Sequence, residues 1–310
     1  MSTNNVPEPT ATLLPAASLL GQRVGISVSD SADLKRLGLM QSHFKLALRE
    51  LARTVLVSGG TLAYGGHLLP GGYTEFLIGE LHQYASMGLF ADEARSADVA
   101  LLVCLAQQEH RKCSLAELKQ ADEDLGLHGE LRCLDLDGNV IDADSGRGPE
   151  GEPYPSDPAV LAQGLTALRR TMTGQTAARA LLGGKRHGYT GSMPGVLEEA
   201  LLALRAGQPL YLAGGLGGVT LDIAAAVDPR CAAHCPRHDT DPPLDAATVS
   251  GLAEVKALVG TDGWSRLNNG LDEHENLQLA LTHRPAEIAA WVGLGLGRWV
   301  RTRKESDRGR

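Results

Sequence analysis

Glu199 and Arg169 are the residues whose types and placement could do chemistry. Glu199 closes the stretch GSMPGVLEE, Gly191 to Glu199, in which a tight glycine-containing turn runs into an amphipathic helix. A carboxylate there could stabilise or trap the oxocarbenium-like sugar that forms as an N-glycosidic bond breaks. A guanidinium such as Arg169 could hold a phosphate bidentately. Backbone N–H groups at the head of a helix are unpaired and carry the positive end of its dipole, so the turn Gly191-Ser192-Met193-Pro194-Gly195 suits an anion. The same residues also fit a plain role, with Glu198 in solvent, Glu199 as a cap and Arg169 on the surface.

The pattern recurs. Gly65-Gly66 precedes Gly71, Gly72, Thr74 and Glu75; Gly183-Gly184 precedes Lys185 and the stretch above; Gly214-Gly215 precedes Gly217, Gly218 and Asp222. Each time a strand-like run ends in Gly-Gly, and an acid stands four residues past a later glycine. Glycines permit tight strand-to-helix turns whether or not a ligand is present. Three such loops on one sheet edge point to a shared cleft, with Gly65, Gly71, Gly184, Gly195 and Gly215 converging on it. Ser27 and Ser29, with Asp30, Ser31 and Asp33, follow the first strand and suit either ribose, phosphate or an N-cap. Neither GxGxxG nor GxxxxGK[ST] occurs at these turns.

The elements that must position these groups alternate. RVGISVS (23–29), 61–64, 98–105, 178–182 and 209–212 read as strands, and 40–57, 73–87, 159–172, 194–205 and 219–227 as helices. Such alternation predicts an α/β fold with a doubly wound, mostly parallel sheet. The runs 178–182 and 209–212 should be neighbouring parallel strands, because one short helix links them. Residues 106–157 read as polar, with an Asp-Gly hairpin in LRCLDLDGNVID and a Pro/Gly-rich loop at 146–158. Helices are expected at 245–259, 272–282 and 285–301.

Composition narrows the partners. The 310 residues carry 29 Lys and Arg against 37 Asp and Glu, a net charge of −8, so no basic face for a nucleic-acid polymer is expected. No apolar run nears the roughly 20 residues of a membrane span. Five scattered cysteines suggest no disulfide framework and a cytoplasmic setting. Cys231, His234, Cys235 and His238 are metal-type ligands, but so short a loop rarely closes a tetrahedron, and no metal is expected. Residues 1–20 read as a disordered leader, 229–302 as a helical C-terminal segment and 303–310 as a charged tail.

Together these motifs resemble the SLOG superfamily, a Rossmann-like group that includes the Lonely-guy phosphoribohydrolases. Their PGGxGTxxE turn aligns without gaps with Gly191–Glu199, keeping Gly195 and Glu199. Their Arg-Lys-x-x-Met helix is similar to Leu168-Arg169-Arg170-Thr171-Met172, offset by at most one position. Val196 replaces the threonine and so removes a hydroxyl donor. The spans RVGISVSDSADLKRLGL, TLAYGGHLLPGGYTE, GGKRHGYTGSMPGVLEEAL and QPLYLAGGLGG are closer still to SLOG proteins of bacterial conflict systems. The resemblance implies a nucleotide-binding domain at 21–228 that binds or senses an NAD- or ADP-ribose-like molecule, with no cofactor. It leaves open an N-glycoside hydrolase or ribosyl transferase using Glu199 and Arg169. A sensor would act through a homo-oligomer or a separate effector protein.

Overall fold

The computed structural model describes residues 14–15, 17–90, 99–145, 147, 157–236 and 241–308. Their order is β1 (Arg23–Ser29), α1 (Gln41–Val57), β2 (Thr61–Gly65), α2 (Tyr73–Ser86), β3 (Leu101–Leu105), α3 (Gln107–Lys112), α4 (Leu115–Leu125), β4 (Gly129–Leu134) and β5 (Val140–Ile141). The chain continues through α5 (Pro158–Gln175), β6 (Ala178–Gly183), α6 (Gly195–Arg205), β7 (Leu210–Ala213), α7 (Gly218–Val227), α8 (Ala246–Val259), α9 (Glu273–Leu281) and α10 (Pro285–Arg308).

The strands form one sheet in the order β5-β4-β3-β2-β1-β6-β7, parallel except for the β4–β5 hairpin. β3 and β6 are buried along their whole length, as befits strands with helices on both faces. β6 and β7 pair in parallel from Arg179↔Leu210 to Leu182↔Ala213, as the short crossover requires. From β1 the chain first winds outward through β2, β3 and β4, then returns to lay β6 on the other side of β1. That reversal makes the C-terminal ends of β1 and β6 a topological switch point, where the loops diverge and leave a crevice.

One core joins α1, α2, α9 and α10 to one face of the sheet, around Phe44, Leu48, Tyr211, Ile288 and Val292. α6, α7 and α8 cover β6 and β7 on the other face, through Leu181, Leu197, Leu212 and Val255. α5 packs over β2 and β3 through Leu168 and Met172. The helical segment after residue 228 is therefore built onto the sheet.

Several boundaries differ from the sequence reading. The polar stretch from 106 holds α3 and α4; α4 is started by Ser114, whose Oγ accepts from Glu117 N while Glu117 returns a bond to Ser114 N. The third strand begins at Leu101; residue 98 lies outside the described residues, as does most of the loop at 146–158. α10 extends to Arg308, because nothing in RTRKESDR breaks a helix. Of the leader, 1–13 and 16 lie outside the described residues, while Leu19 is fully buried, so the packed chain begins before residue 21.

Candidate ligand-binding site

α5 begins where Asp157 accepts from Ala159 N at 2.9 Å, and it presents Thr166, Arg169 and Thr173 along one side at helical spacing. Arg169 donates to Glu198 of α6, and Thr166 Oγ1 donates to the other Glu198 oxygen at 2.5 Å. Arg169 is 8% exposed and Glu198 7%. This overturns the plain reading of a surface arginine and a solvated Glu198: two buried charges persist because each neutralises the other. The guanidinium lies against the turn before α6. A Cβ built on Gly195 would fall 2.6 Å from Arg169 Nη2, and one on Gly191 3.0 Å from Nη1. Glycine at 195 thus makes room for Arg169, a cause distinct from the ligand approach that the motif suggests.

Behind this pair lies a second guanidinium that the sequence did not announce. Arg179 of β6 is 1% exposed and lies over Gly25 of β1, beside Thr173 of α5 and Glu199 of α6. Its Nη1 donates to Ser27 Oγ at 3.0 Å and its Nη2 to Thr173 Oγ1 at 3.3 Å, while Nε has no partner. Glu199 Oε1 stands 3.6 Å from Nη1, an ion pair too long for a good hydrogen bond. Burial pulls the Arg179 pKa down, and Glu199 opposes that pull. Glu199 accepts no other hydrogen bond among the described residues.

Asp30, after β1, is tied to the heads of α1 and α2. Asp30 Oδ1 accepts from Tyr73 Oη at 2.9 Å and from Gln41 Nε2 at 3.1 Å, and Gln41 Nε2 also donates to Tyr73 Oη at 2.7 Å. Tyr64, on β2 beside Ile26, is 5% exposed, and its ring lies against the bare backbone of Gly66, where a Cβ would come within 2.2 Å of Cε1. Burial first, then Glu199 and Asp30, push the Tyr64 pKa well above that of a free phenol. The hydroxyl therefore stays neutral, and it has no hydrogen-bond partner among the described residues.

Near the C-terminal ends of β1 and β6, Arg179 thus links Ser27, Thr173 and Glu199, and Arg169 links Thr166, Glu198 and the Gly191–Gly195 turn. Other residues singled out in the sequence serve local closure. Glu75 Oε2 accepts from Gly71 N at 2.6 Å, and Thr74 Oγ1 donates to the His67 carbonyl at 2.7 Å, so Gly71, Gly72, Thr74 and Glu75 shape their own turn. Gly184, at φ +98°, turns the chain out of β6 against Val219 and Val196, and Lys185 beyond it is exposed. Ser29 lends its carbonyl to Gly184 N at 2.9 Å. Met193 packs into the α6–α8 core, Pro194 is buried at the head of α6, and Ser192 is exposed at the rim of a cavity of about 360 Å³ beside Arg170. The third Gly-Gly loop is covered: Cβ atoms at Gly214, Gly215 and Gly217 would strike the Ala280 carbonyl, the Thr282 carbonyl and Asp33. Its neighbours are the C-terminal helices and the β1 loop.

A buried lock fixes that side. Arg186 donates to Asp33, to both Asp222 oxygens and to the Gly218 carbonyl, while Gly218 N donates to Asp33 at 2.7 Å. The β1, β6 and β7 loops are thereby tied together. Among the described residues no three His, Cys, Asp or Glu side chains cluster as metal ligands; His238 lies outside those residues. None of the five cysteines is in a disulfide.

The family model described as SLOG cluster2 matches residues 18–279, most of the chain. The chain belongs to the SLOG cluster2 family. This membership covers the crevice and continues past residue 228 through α8 and most of α9. It carries a nucleotide-related Rossmann-like function in general terms. No curated protein matches the SLOG chain. No described helix in it is long and apolar enough to cross a membrane.

Proposed function

We propose that this SLOG protein binds a nucleotide-derived small molecule of the NAD or ADP-ribose kind in the crevice between the β1, β2 and β6 loops, in a ligand-binding or sensing role. The observation that carries the reading is Glu199. It is a carboxylate with no hydrogen bond among the described residues, held 3.6 Å from the buried Arg179. Glu199 balances the buried charge of Arg179, and its oxygens keep the hydrogen-bonding capacity that a ligand hydroxyl could use. The head of α6 and the exposed Arg170 beside Ser192 offer the phosphate side of such a ligand its positive potential. A sensing role would act through self-association or a separate effector, and free thiols suit the reducing cytoplasm we assign it.

The same open carboxylate favours one alternative, cleavage of the ligand's N-glycosidic bond. Glu199 would face the positive charge that develops on the sugar, with Arg169 holding the turn that positions the phosphate. Calorimetry and mass spectrometry of products with NAD⁺, ADP-ribose and AMP test both readings. Binding without release of base supports the sensor. Release of base that Glu199→Gln abolishes, with binding retained, supports the enzyme. Failure of all three nucleotides to bind overturns both.

A further inference from the structure

The cavity of about 360 Å³ beside Ser192 lies between α5 and the turn of the β4–β5 hairpin, and its volume falls within the roughly 300–1,000 Å³ of small-molecule sites. Gln163 Nε2 donates to the Leu136 carbonyl at 3.4 Å and Thr171 Oγ1 to the Gly138 carbonyl at 2.9 Å, so the hairpin turn is held against the helix. Ala159, Ala162, Thr166 and Arg170 recur along α5 at helical spacing on the side that lines the cavity. The alanine methyls, with Leu136, supply an apolar lining. Asp137 from the hairpin and Arg170 from the helix bring opposite charges to the same cavity. Both are exposed, no hydrogen bond or ion pair joins them, and neither side chain has another partner among the described residues. Thr166 ties the cavity to the site above, since its Oγ1 donates to Glu198 at 2.5 Å.

The chemistry of this lining selects its occupant. A phosphate would gain nothing from the methyl groups and would be repelled by Asp137. An acyl chain would leave both charges unused. An aromatic base with an exocyclic amine uses everything offered: its face lies on the alanines, its amine donates to Asp137, and its ring nitrogens accept from Arg170. We propose that the cavity is a nucleobase subsite for a purine with an exocyclic amine, such as adenine. The proposal rests on the nucleotide-binding reading above and adds to it the place of the base. An ADP-ribose-like ligand would then run from a sugar beside Glu199, past diphosphate at the Gly191–Gly195 turn, to a base against α5. Asp137 and Ala162 are the specificity-determining residues, the first by accepting from the amine and the second by leaving room for the ring.

The test is calorimetry with ADP-ribose on wild type, Asp137→Ala and Ala162→Leu, with ribose 5-phosphate, which has the sugar and a phosphate but no base, read by displacement of ADP-ribose. Asp137→Ala should weaken ADP-ribose by about tenfold, the scale of one hydrogen bond to a charged group, and leave ribose 5-phosphate no weaker. The sign is diagnostic, because removing a carboxylate cannot by charge alone weaken the binding of an anion. Asp137 is exposed, and Asp135, whose Oδ1 accepts from Asp137 N at 2.9 Å and from Asn139 N at 2.8 Å, still holds the turn. Ala162→Leu keeps a strong helix former on α5 and fills the cavity, so it too should weaken ADP-ribose by about tenfold and spare ribose 5-phosphate. ADP-ribose bound as tightly by either variant as by wild type overturns the base subsite while the nucleotide reading stands. Parallel loss of both probes does the same. If ADP-ribose does not bind wild type, the nucleotide reading falls and the subsite falls with it.

Discussion

Replacing Gly195 with alanine should destabilise the protein, and the penalty should vanish once Arg169 is gone. The new Cβ would sit 2.6 Å from Arg169 Nη2 and 3.3 Å from its Cζ, so the guanidinium must retreat by about 0.8 Å to reach ordinary contact at 3.4 Å. A flexible arginine at a surface would simply swing away. This one is buried and held by Glu198, so the retreat strains a buried pair, and overpacking of this kind costs about 1–3 kcal/mol. Gly195 itself does not have a left-handed φ, so alanine is conformationally acceptable there. In a background of Arg169→Ala with Glu198→Gln, which removes the clash without leaving an orphan charge, the same change should stabilise by about 0.4–1 kcal/mol through the unfolded chain. The assay is urea denaturation of the four proteins of this cycle, read as a coupling energy of at least about 1.5 kcal/mol. An equal penalty in both backgrounds would refute the claim that the glycine exists to admit Arg169, and would return Gly195 to a ligand role.

Arg186→Met removes the cationic partner of buried Asp33 and half-buried Asp222, and should cost about 3–5 kcal/mol in denaturant unfolding; a loss under about 1 kcal/mol would contradict the lock. Burial holds the His110 imidazole at about 4, against about 6.5 in an unfolded chain. The unfolded state therefore takes up more protons between those values, and stability should fall as pH drops from about 6.5 towards 4. His110→Gln should flatten that limb of urea midpoints measured from pH 7.5 to 4.5, and an unchanged slope would count against it. Burial pushes the thiols of Cys104 and Cys231 up to about 12 and that of Cys133 to about 11. Iodoacetamide at pH 8 should spare these three in the native protein and label all five in urea; fast native labelling of Cys104 would contradict the packing.

Much of the fold was legible because its signals are local. Gly-Gly pairs at strand ends, β-branched runs and 3.6-residue periodicity each reflect a few adjacent residues, and they place β1, β2, β6, β7 and the helices between them. α4 was missed although Ser114-Leu115-Ala116-Glu117 spells a capping box, because the surrounding polarity masked it. The Arg169 and Glu198 positions were visible in the motif, yet their partnership was not, since it joins residues 29 apart on two helices. Arg179 and Tyr64 could not be found by pattern. Arg179 sits in a strand otherwise apolar, and its partners Ser27, Thr173 and Glu199 come from other elements, while Tyr64 looks like one more core residue of β2. The third Gly-Gly loop misled for the converse reason: Gly214 and Gly215 look like the others, but α9 and the turn to α10, far along the chain, close over them.

The central claim is that a nucleotide-derived molecule occupies the crevice at the C-terminal ends of β1, β2 and β6. A crystal structure of the protein soaked with ADP-ribose tests it most directly. The account predicts the ligand's sugar beside Glu199, with the phosphates on the side of the Gly191–Gly195 turn. Ligand density at the opposite edge of the sheet, beside Arg23, Arg303 and Lys304, or an empty crevice at saturating ADP-ribose, would contradict it.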